Sequence, residues 1–440
     1  MRASLQHTMR RVSLAAAMLS SFAVVASAQL PNASSAAYGM AGNFTAMARG
    51  FEAVSWNPAN LGMPGSPGLS LGLAMAGGTI GLAPVDFTML HEFSGKVIDS
   101  ATKASWIDKA RASGGQRGRI DGGVTPVALT VGPLGFQVGS SVYTSLNLSP
   151  DAVEAVLFGN AGNNGGQPKT LDFTGSHVRA GVFSTAAASF ALPLPLRLTA
   201  GILPNEHAAI GITGKYVMGS GLWIADDIGS SLGPTDVQLR FGMIAPDTAL
   251  DDYRKGFGAG TAADLSFAWS GGPWRVGALA ENVYNTFKWD TTRLAYRPGT
   301  GSFGSNGASS TTFDQQPYAS APQSLRDIVA NQTFKPALSI GAAMNLTGGL
   351  TITADMRTQT GGDDAIIIGP KTRMGVGAEW RVLPFLPLRG GVATVTDGWQ
   401  AGAGVGLRLM GFELGVSTSI RRIGETSQSG VMVGLFGLGR

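Results

Sequence analysis

Residue types that carry chemistry are sparse in this chain, and their spacing fits no catalytic site. With no cysteine, thiolate nucleophiles, Cys-ligated metals and a disulfide framework are excluded. His91, His177 and His207 are scattered, and no Gly-x-Ser-x-Gly elbow accompanies them. Gly211-Ile212-Thr213-Gly214-Lys215 has the look of a phosphate loop, but Ala209 stands where its first glycine is needed and Tyr216 replaces Ser or Thr. Asp363-Asp364, after Gly361-Gly362, offers two carboxylates to a calcium ion and reads better as an exposed turn. The expectation is a non-enzyme with no catalytic residue, no metal and no cofactor. What remains is a set of isolated charges: Arg240, Asp264, Arg275, Glu281, Asp355, Arg357, Arg373, Glu379, Arg381, Arg408 and Glu413.

The elements that carry those charges show period two. From Trp399 to Leu409 the odd positions are Trp, Ala, Ala, Val, Leu and Leu, while Gln400, Gly402, Gly404, Gly406 and Arg408 lie between them. Parity then reverses: Phe412, Leu414, Val416, Thr418 and Ile420 alternate with Gly, Ser, Glu413 and Arg421, as a hairpin with almost no loop requires. The same split recurs over 373–382, 338–346, 236–243 and 257–269, where Phe257 and Trp269 fall on the apolar face. About 14 such strands (12 to 16) are expected, each near the ~9–11 residues that cross a bilayer at ~45° tilt. Minimal turns at Gly271-Gly272, Gly348-Gly349 and Met410-Gly411 contrast with long connections at 287–332, 359–370 and 422–429. Trp269, Trp274, Tyr284 and Trp399 fall at strand ends, where an aromatic girdle would sit.

These features predict an all-β fold, a transmembrane antiparallel barrel. A sheet that is apolar all the way round has to bury that face, and lipid does so where no second sheet exists. Those charges then face a lumen whose other residues are mostly small, leaving room for a plug. Composition agrees: 64 glycines in 440 residues argue against a long helical fold, and 14 % charged residues with 44 % apolar ones argue against disorder. A net charge of +4 leaves no nucleic-acid footprint.

Arg2, Arg10 and Arg11, the apolar run 12–25 and Ala26-Ser27-Ala28 read as a signal peptide over 1–28, addressing the chain for export. Residues 29–65 precede the first strand, and the barrel is expected over 66–440. Helical insertions are expected near 97–112 and 149–159, the second capped by Ser149 with Pro150 in its first turn. The Gly/Ser/Asn-rich stretch 299–310 reads as mobile.

Gly39-Met40-Ala41-Gly42, followed by Asn57-Pro58-Ala59 and Gly62, resembles the N-terminal hatch of the FadL-type outer-membrane transporters of hydrophobic compounds. The trio also makes a rigid turn in its own right, because Asn bonds its own backbone two residues on and Pro fixes φ. Where typical members carry paired Asp residues, this chain has Arg49-Gly50-Phe51-Glu52. The resemblance implies a 14-stranded barrel in the outer membrane of a Gram-negative-type bacterium, with Gly39, Gly42, Asn57, Pro58 and Ala59 in a gating hatch. It implies passive uptake of a hydrophobic, long-chain fatty acid-like small molecule, with outer-membrane lipid around the wall. The alternative is a PorV-like secretion-associated or structural component whose protein partner docks on loops such as 287–332.

Overall fold

The computed structural model describes residues 34–439 apart from 162–166, 200, 251, 253–254, 305–306, 363–364, 397, 410 and 424–425. The expected export signal and Asp363-Asp364 therefore lie outside the described residues. Fourteen strands make the wall. The first seven are β1 (Leu69–Ala83), β2 (Gln116–Val131), β3 (Leu134–Leu148), β4 (His177–Leu194), β5 (His207–Asp227), β6 (Gly258–Gly271) and β7 (Trp274–Asn285). The others are β8 (Ala337–Asn345), β9 (Leu350–Gln359), β10 (Thr372–Leu383), β11 (Leu386–Val395), β12 (Gly398–Leu409), β13 (Phe412–Ile423) and β14 (Thr426–Leu438). Each pairs antiparallel with its sequence neighbours, and β1 pairs with β14 from Leu71↔Leu438 to Leu82↔Ser427. The sheet is closed and has no free edge.

Side chains follow the period-two reading on most strands. Leu407, Leu409, Leu414, Val416, Met374, Val376, Trp380, Leu338 and Ile340 all point outward and are exposed, whereas Glu379, Gln400, Glu413, Ser417 and Ser419 are buried. An exposed apolar band running round a closed barrel is satisfied by acyl chains and not by water. Trp274 and Trp380 at one rim and Tyr284 and Trp399 at the other are exposed in the girdle positions. No described helix is long and apolar enough to cross a membrane, so the strands do the crossing.

Several expectations change. Trp269 is buried, its indole N–H donating to Glu206 at 3.3 Å, and Phe257 belongs to an interior aromatic cluster. The segment Asp236–Pro246 is not wall: it pairs along its length with Leu294–Gly304 in a ribbon beyond the barrel and meets β5 only at 224–227. Arg240 is exposed on that ribbon and does not face the lumen, since alternation is equally required of a two-stranded ribbon with one covered face. Within the stretch 299–310, Thr300–Gly304 extend the ribbon by pairing with Gly307–Thr312. In place of the long connection expected at 422–429, β13 and β14 pair as far as Ile423↔Thr426. At the rim where β1 begins and β14 ends, connections are short except for residues 195–206; at the other rim five are long, 360–371 among them.

Among the described residues six α-helices stand outside the strands: α1 (Ser35–Gly39) and α2 (Ala53–Trp56) precede β1, and α3 (Phe87–Glu92), α4 (Ser100–Ala112), α5 (Pro150–Phe158) and α6 (Gln323–Asn331) lie between strands. The α4 and α5 spans lie where helices are expected, and the Ser149 side chain accepts from the Ala152 N–H at 3.2 Å as an N-cap. The barrel interior holds two packed masses. One is the N-terminal segment 34–63; the other is an aromatic cluster under the long-loop rim.

Candidate functional site

The N-terminal segment lies inside the barrel, with Met40, Phe44, Ala36, Ala48, Val54 and Ala59 essentially inaccessible. Small residues let it fold in short turns: α1, a 3-10 turn at Gly50–Glu52, α2, and a 3-10 turn at Pro58–Gly62. Asn57 acts as expected of a turn residue, its Oδ1 accepting from the Ala59 N–H at 3.2 Å. Its Nδ2 also donates to the Phe267 carbonyl of β6 at 3.0 Å, so one side chain both shapes the turn and ties it to the wall. The Ala59 N–H reaches Ser266 Oγ at 2.9 Å, and Asn60 Nδ2 closes the segment on itself through the Thr45 carbonyl at 3.1 Å.

Wall charges hold the other half. Asp355 Oδ1 accepts from the Thr45 N–H at 2.9 Å, and Arg373 Nη2 donates to the Gly42 carbonyl at 2.7 Å while its guanidinium lies 5.7 Å from the Trp56 ring centroid. Gly42 has φ +83, in the left-handed region, and a Cβ there would lie 2.1 Å from Arg373 Nη1. Asn43 Nδ2 donates to the Met40 and Val376 carbonyls at 2.7 and 3.1 Å. Gly39 packs against Gly404 of β12, a built Cβ at Gly39 standing 3.0 Å from the Gly404 Cα.

The inward glycines of the wall have the same cause. A Cβ at Gly391 would lie 2.3 Å from the Met40 carbonyl oxygen, one at Gly402 2.6 Å from that of Tyr38, and one at Gly211 2.4 Å from the Ala59 nitrogen. The segment is thus seated backbone to backbone against the wall.

Most of the remaining lumen-facing charges are neutralised in pairs or small networks. Arg357 donates to Glu281 at 3.0 and 3.1 Å. Arg389, fully buried, bridges Glu379 at 2.8 Å and Glu413 at 2.6 Å, and Arg408 reaches Glu413 at 2.6 Å. Arg381 reaches Glu379 at 3.1 Å. Asp264 pairs with Lys215 at 2.6 Å, and Lys215 also donates to Asn282 at 2.8 Å. Arg275 is half-buried and has no carboxylate partner among the described residues. Lys215, Arg389, Arg119 and Asp121 are missing from the sequence expectation, which sets Arg421 on the polar face but leaves it out of the lumen charges. Parity would have found the first two, because Ile212 and Tyr216 point outward around Lys215, and Leu388 does so beside Arg389.

Between the inner segment and the long-loop rim lies a cavity of about 170 Å³ lined by Tyr38, Trp56, Asp121, Glu281, Arg357 and Arg421, with Ile368–Pro370 above it. Arg119 anchors that cover by donating to the Ile367 carbonyl at 2.8 Å while pairing with Asp121. Beside it stands the aromatic cluster: Phe183 lies 5.0 Å from Phe334, 5.4 Å from Trp289 and 5.7 Å from Phe287 between ring centroids, and α6 adds Leu325 and Val329. Among the described residues there is no group of three or more potential metal ligands.

Fold and contents together define a closed, lipid-facing β-barrel with its N-terminal segment 34–63 folded into the lumen. No family model matches the chain, and no curated protein matches it. Solved structures similar to it include the Ralstonia pickettii toluene transporter TbuX, at 12 % identity and TM-score 0.46 over 92 % of this chain and 97 % of that one. The Pseudomonas putida toluene transporter TodX is 10 % identical with TM-score 0.47, over 93 % and 99 %. A Pseudomonas aeruginosa FadL homologue is 10 % identical with TM-score 0.45, over 93 % and 98 %. Overlap at that level sets no residue correspondence with this chain.

Proposed function

We propose that this protein is an outer-membrane barrel for passive uptake of hydrophobic small molecules of the long-chain fatty acid kind. In this reading the short-turn rim is periplasmic and residues 34–63 form the gate. The observation that carries it is the filling of one lumen by two unlike masses. The aromatic cluster at the outer rim suits an apolar solute, and the hatch is held by hydrogen bonds and small residues that can separate without breaking a covalent link. Apolar surface meeting apolar solute is favourable at roughly 25 cal/mol per Å², which gives capture without an energy source. Phe287, Trp289 and Phe334 fold inward from the connection at 286–336 and add apolar surface to that cluster.

Because the chain has no cysteine, an engineered disulfide can test the gate. A Cβ built at Gly377 stands 3.3 Å from the Asn43 Cβ, close to the ~3.5–4.5 Å of a disulfide. The oxidised double variant Asn43→Cys/Gly377→Cys in proteoliposomes should take up a labelled fatty acid at least tenfold more slowly than its reduced form. Equal rates in the two redox states would refute hatch gating, and no uptake by the unmodified protein above empty vesicles would refute transport.

A further inference from the structure

At the short-turn rim a second cavity, about 410 Å³, lies between hatch and wall. Arg49 comes from the hatch, Arg275 from β7, Arg381 from β10 and Arg408 from β12, with Phe44 and Met47 beneath them. Glu379 is the acidic side chain in its lining, and it is shared by Arg381 and Arg389. Glu413, next to it, is taken by Arg389 and Arg408. Five guanidiniums are thus gathered around two carboxylates. Arg49 donates to the Ala48 carbonyl at 2.8 Å, and neither it nor Arg275 meets a carboxylate among the described residues. Like charges facing a shared, partly enclosed space repel, and a guanidinium fork bridges readily to an oxyanion.

We propose that this vestibule is an oxyanion site, in which Arg49 of the hatch and Arg275 and Arg381 of the wall converge on a phosphate- or carboxylate-type group that clamps the hatch to the wall. Hatch and wall each contribute a cation that is otherwise unneutralised, so the anion stabilises the closed arrangement. The site stands independently of the solute the barrel carries.

The test uses the full chain in non-ionic detergent, titrated with inorganic phosphate by calorimetry against chloride of equal ionic strength. Saturable binding is expected, at least tenfold weaker in Arg49→Gln and in Arg275→Gln, together with slower amide exchange over residues 44–52 in the unmodified protein alone. Heat indistinguishable from chloride, or affinity unchanged in both variants, overturns the proposal. If Arg49→Gln does not fold, Arg275→Gln, at a half-exposed wall position, decides by itself. Displacement of phosphate by dodecanoate but not by dodecanol assigns the anion to a carboxylate solute, and phosphate binding that dodecanoate leaves untouched assigns it to a free phosphate. Protein that binds phosphate without transporting overturns only the uptake reading, and protein that transports without binding phosphate overturns only this site.

Discussion

Lys215 and Asp264 show what a single charge does inside this wall. Both are buried, and Lys215 Nζ, Asp264 Oδ1 and the Asn282 side chain form a closed network with the Asn282 N–H at 2.7 Å from Asp264. A buried pair adds little net stability, but removing one partner leaves a stranded charge worth about 3–5 kcal/mol. Asp264→Leu should therefore lower the thermal unfolding midpoint in detergent far more than the double variant Lys215→Met/Asp264→Leu, as measured by heat-dependent gel mobility. Glu206, outside the spans in the 195–206 connection, behaves differently. The Thr199 N–H, first among its causes, with the Thr199 hydroxyl and the Gly201 N–H, pulls its carboxyl down to about 2. A depressed carboxylate contributes stability above its unfolded value, near 4.5, which is lost as pH falls toward 2. Exchange protection of the Thr199 and Gly201 amides should fade over that window, and Glu206→Gln should lack it already at pH 7.

The strands and the hatch depend on each other through glycine. Period two puts Gly402, Gly404 and Gly406 on the lumen face, and the structure supplies a reason for the first: a Cβ at Gly402 would stand 2.6 Å from the Tyr38 carbonyl oxygen, whereas one at Gly404 would first meet the Ser417 Oγ of β13, at 2.4 Å. Gly391→Val should leave β11 paired but force the Met40 carbonyl away. The variant is expected to fold with barrel mobility on gels and to expose residues 34–63 to added protease, where the unmodified protein resists cleavage. Helix α6 carries the local signal of an amphipathic helix, Leu325, Ile328 and Val329 at i, i+3 and i+4, which the sequence reading passes over; what that spacing cannot give is the distant interior cluster that buries Leu325 and Val329. The ribbon strand Asp236–Pro246 was misplaced for the converse reason: alternation reports a half-covered face, and the residue opposite is a partner's choice.

For the whole molecule, the consequence is a barrel whose interior is largely filled by its own chain. Among the described residues the N-terminal segment and the aromatic cluster leave a cavity of about 170 Å³ between them, and another of about 410 Å³ lies at the short-turn rim. In planar bilayers the protein should show no steady conductance of the size of a diffusion porin, and deletion of residues 34–63 should raise conductance only to the extent that the aromatic cluster allows. A large steady conductance from the unmodified protein would contradict the filled lumen. The apolar belt should also make the chain aggregate when detergent is removed, as followed by light scattering.

Sequence alone determined the strand class, the polarity of the two faces, the rigid Asn57-Pro58-Ala59 turn and most of the inward charges, because period two and turn chemistry are local properties of adjacent residues. It could not decide which alternating segment joins the wall, which aromatic turns inward, or which charges meet. Those outcomes depend on what lies across the strand or across the lumen, as Trp269 at Glu206, Arg240 on the ribbon and Arg373 at Gly42 each show. Pairing between residues more than 300 positions apart, such as Thr45 with Asp355, exists only once the sheet has closed around its own N-terminal segment.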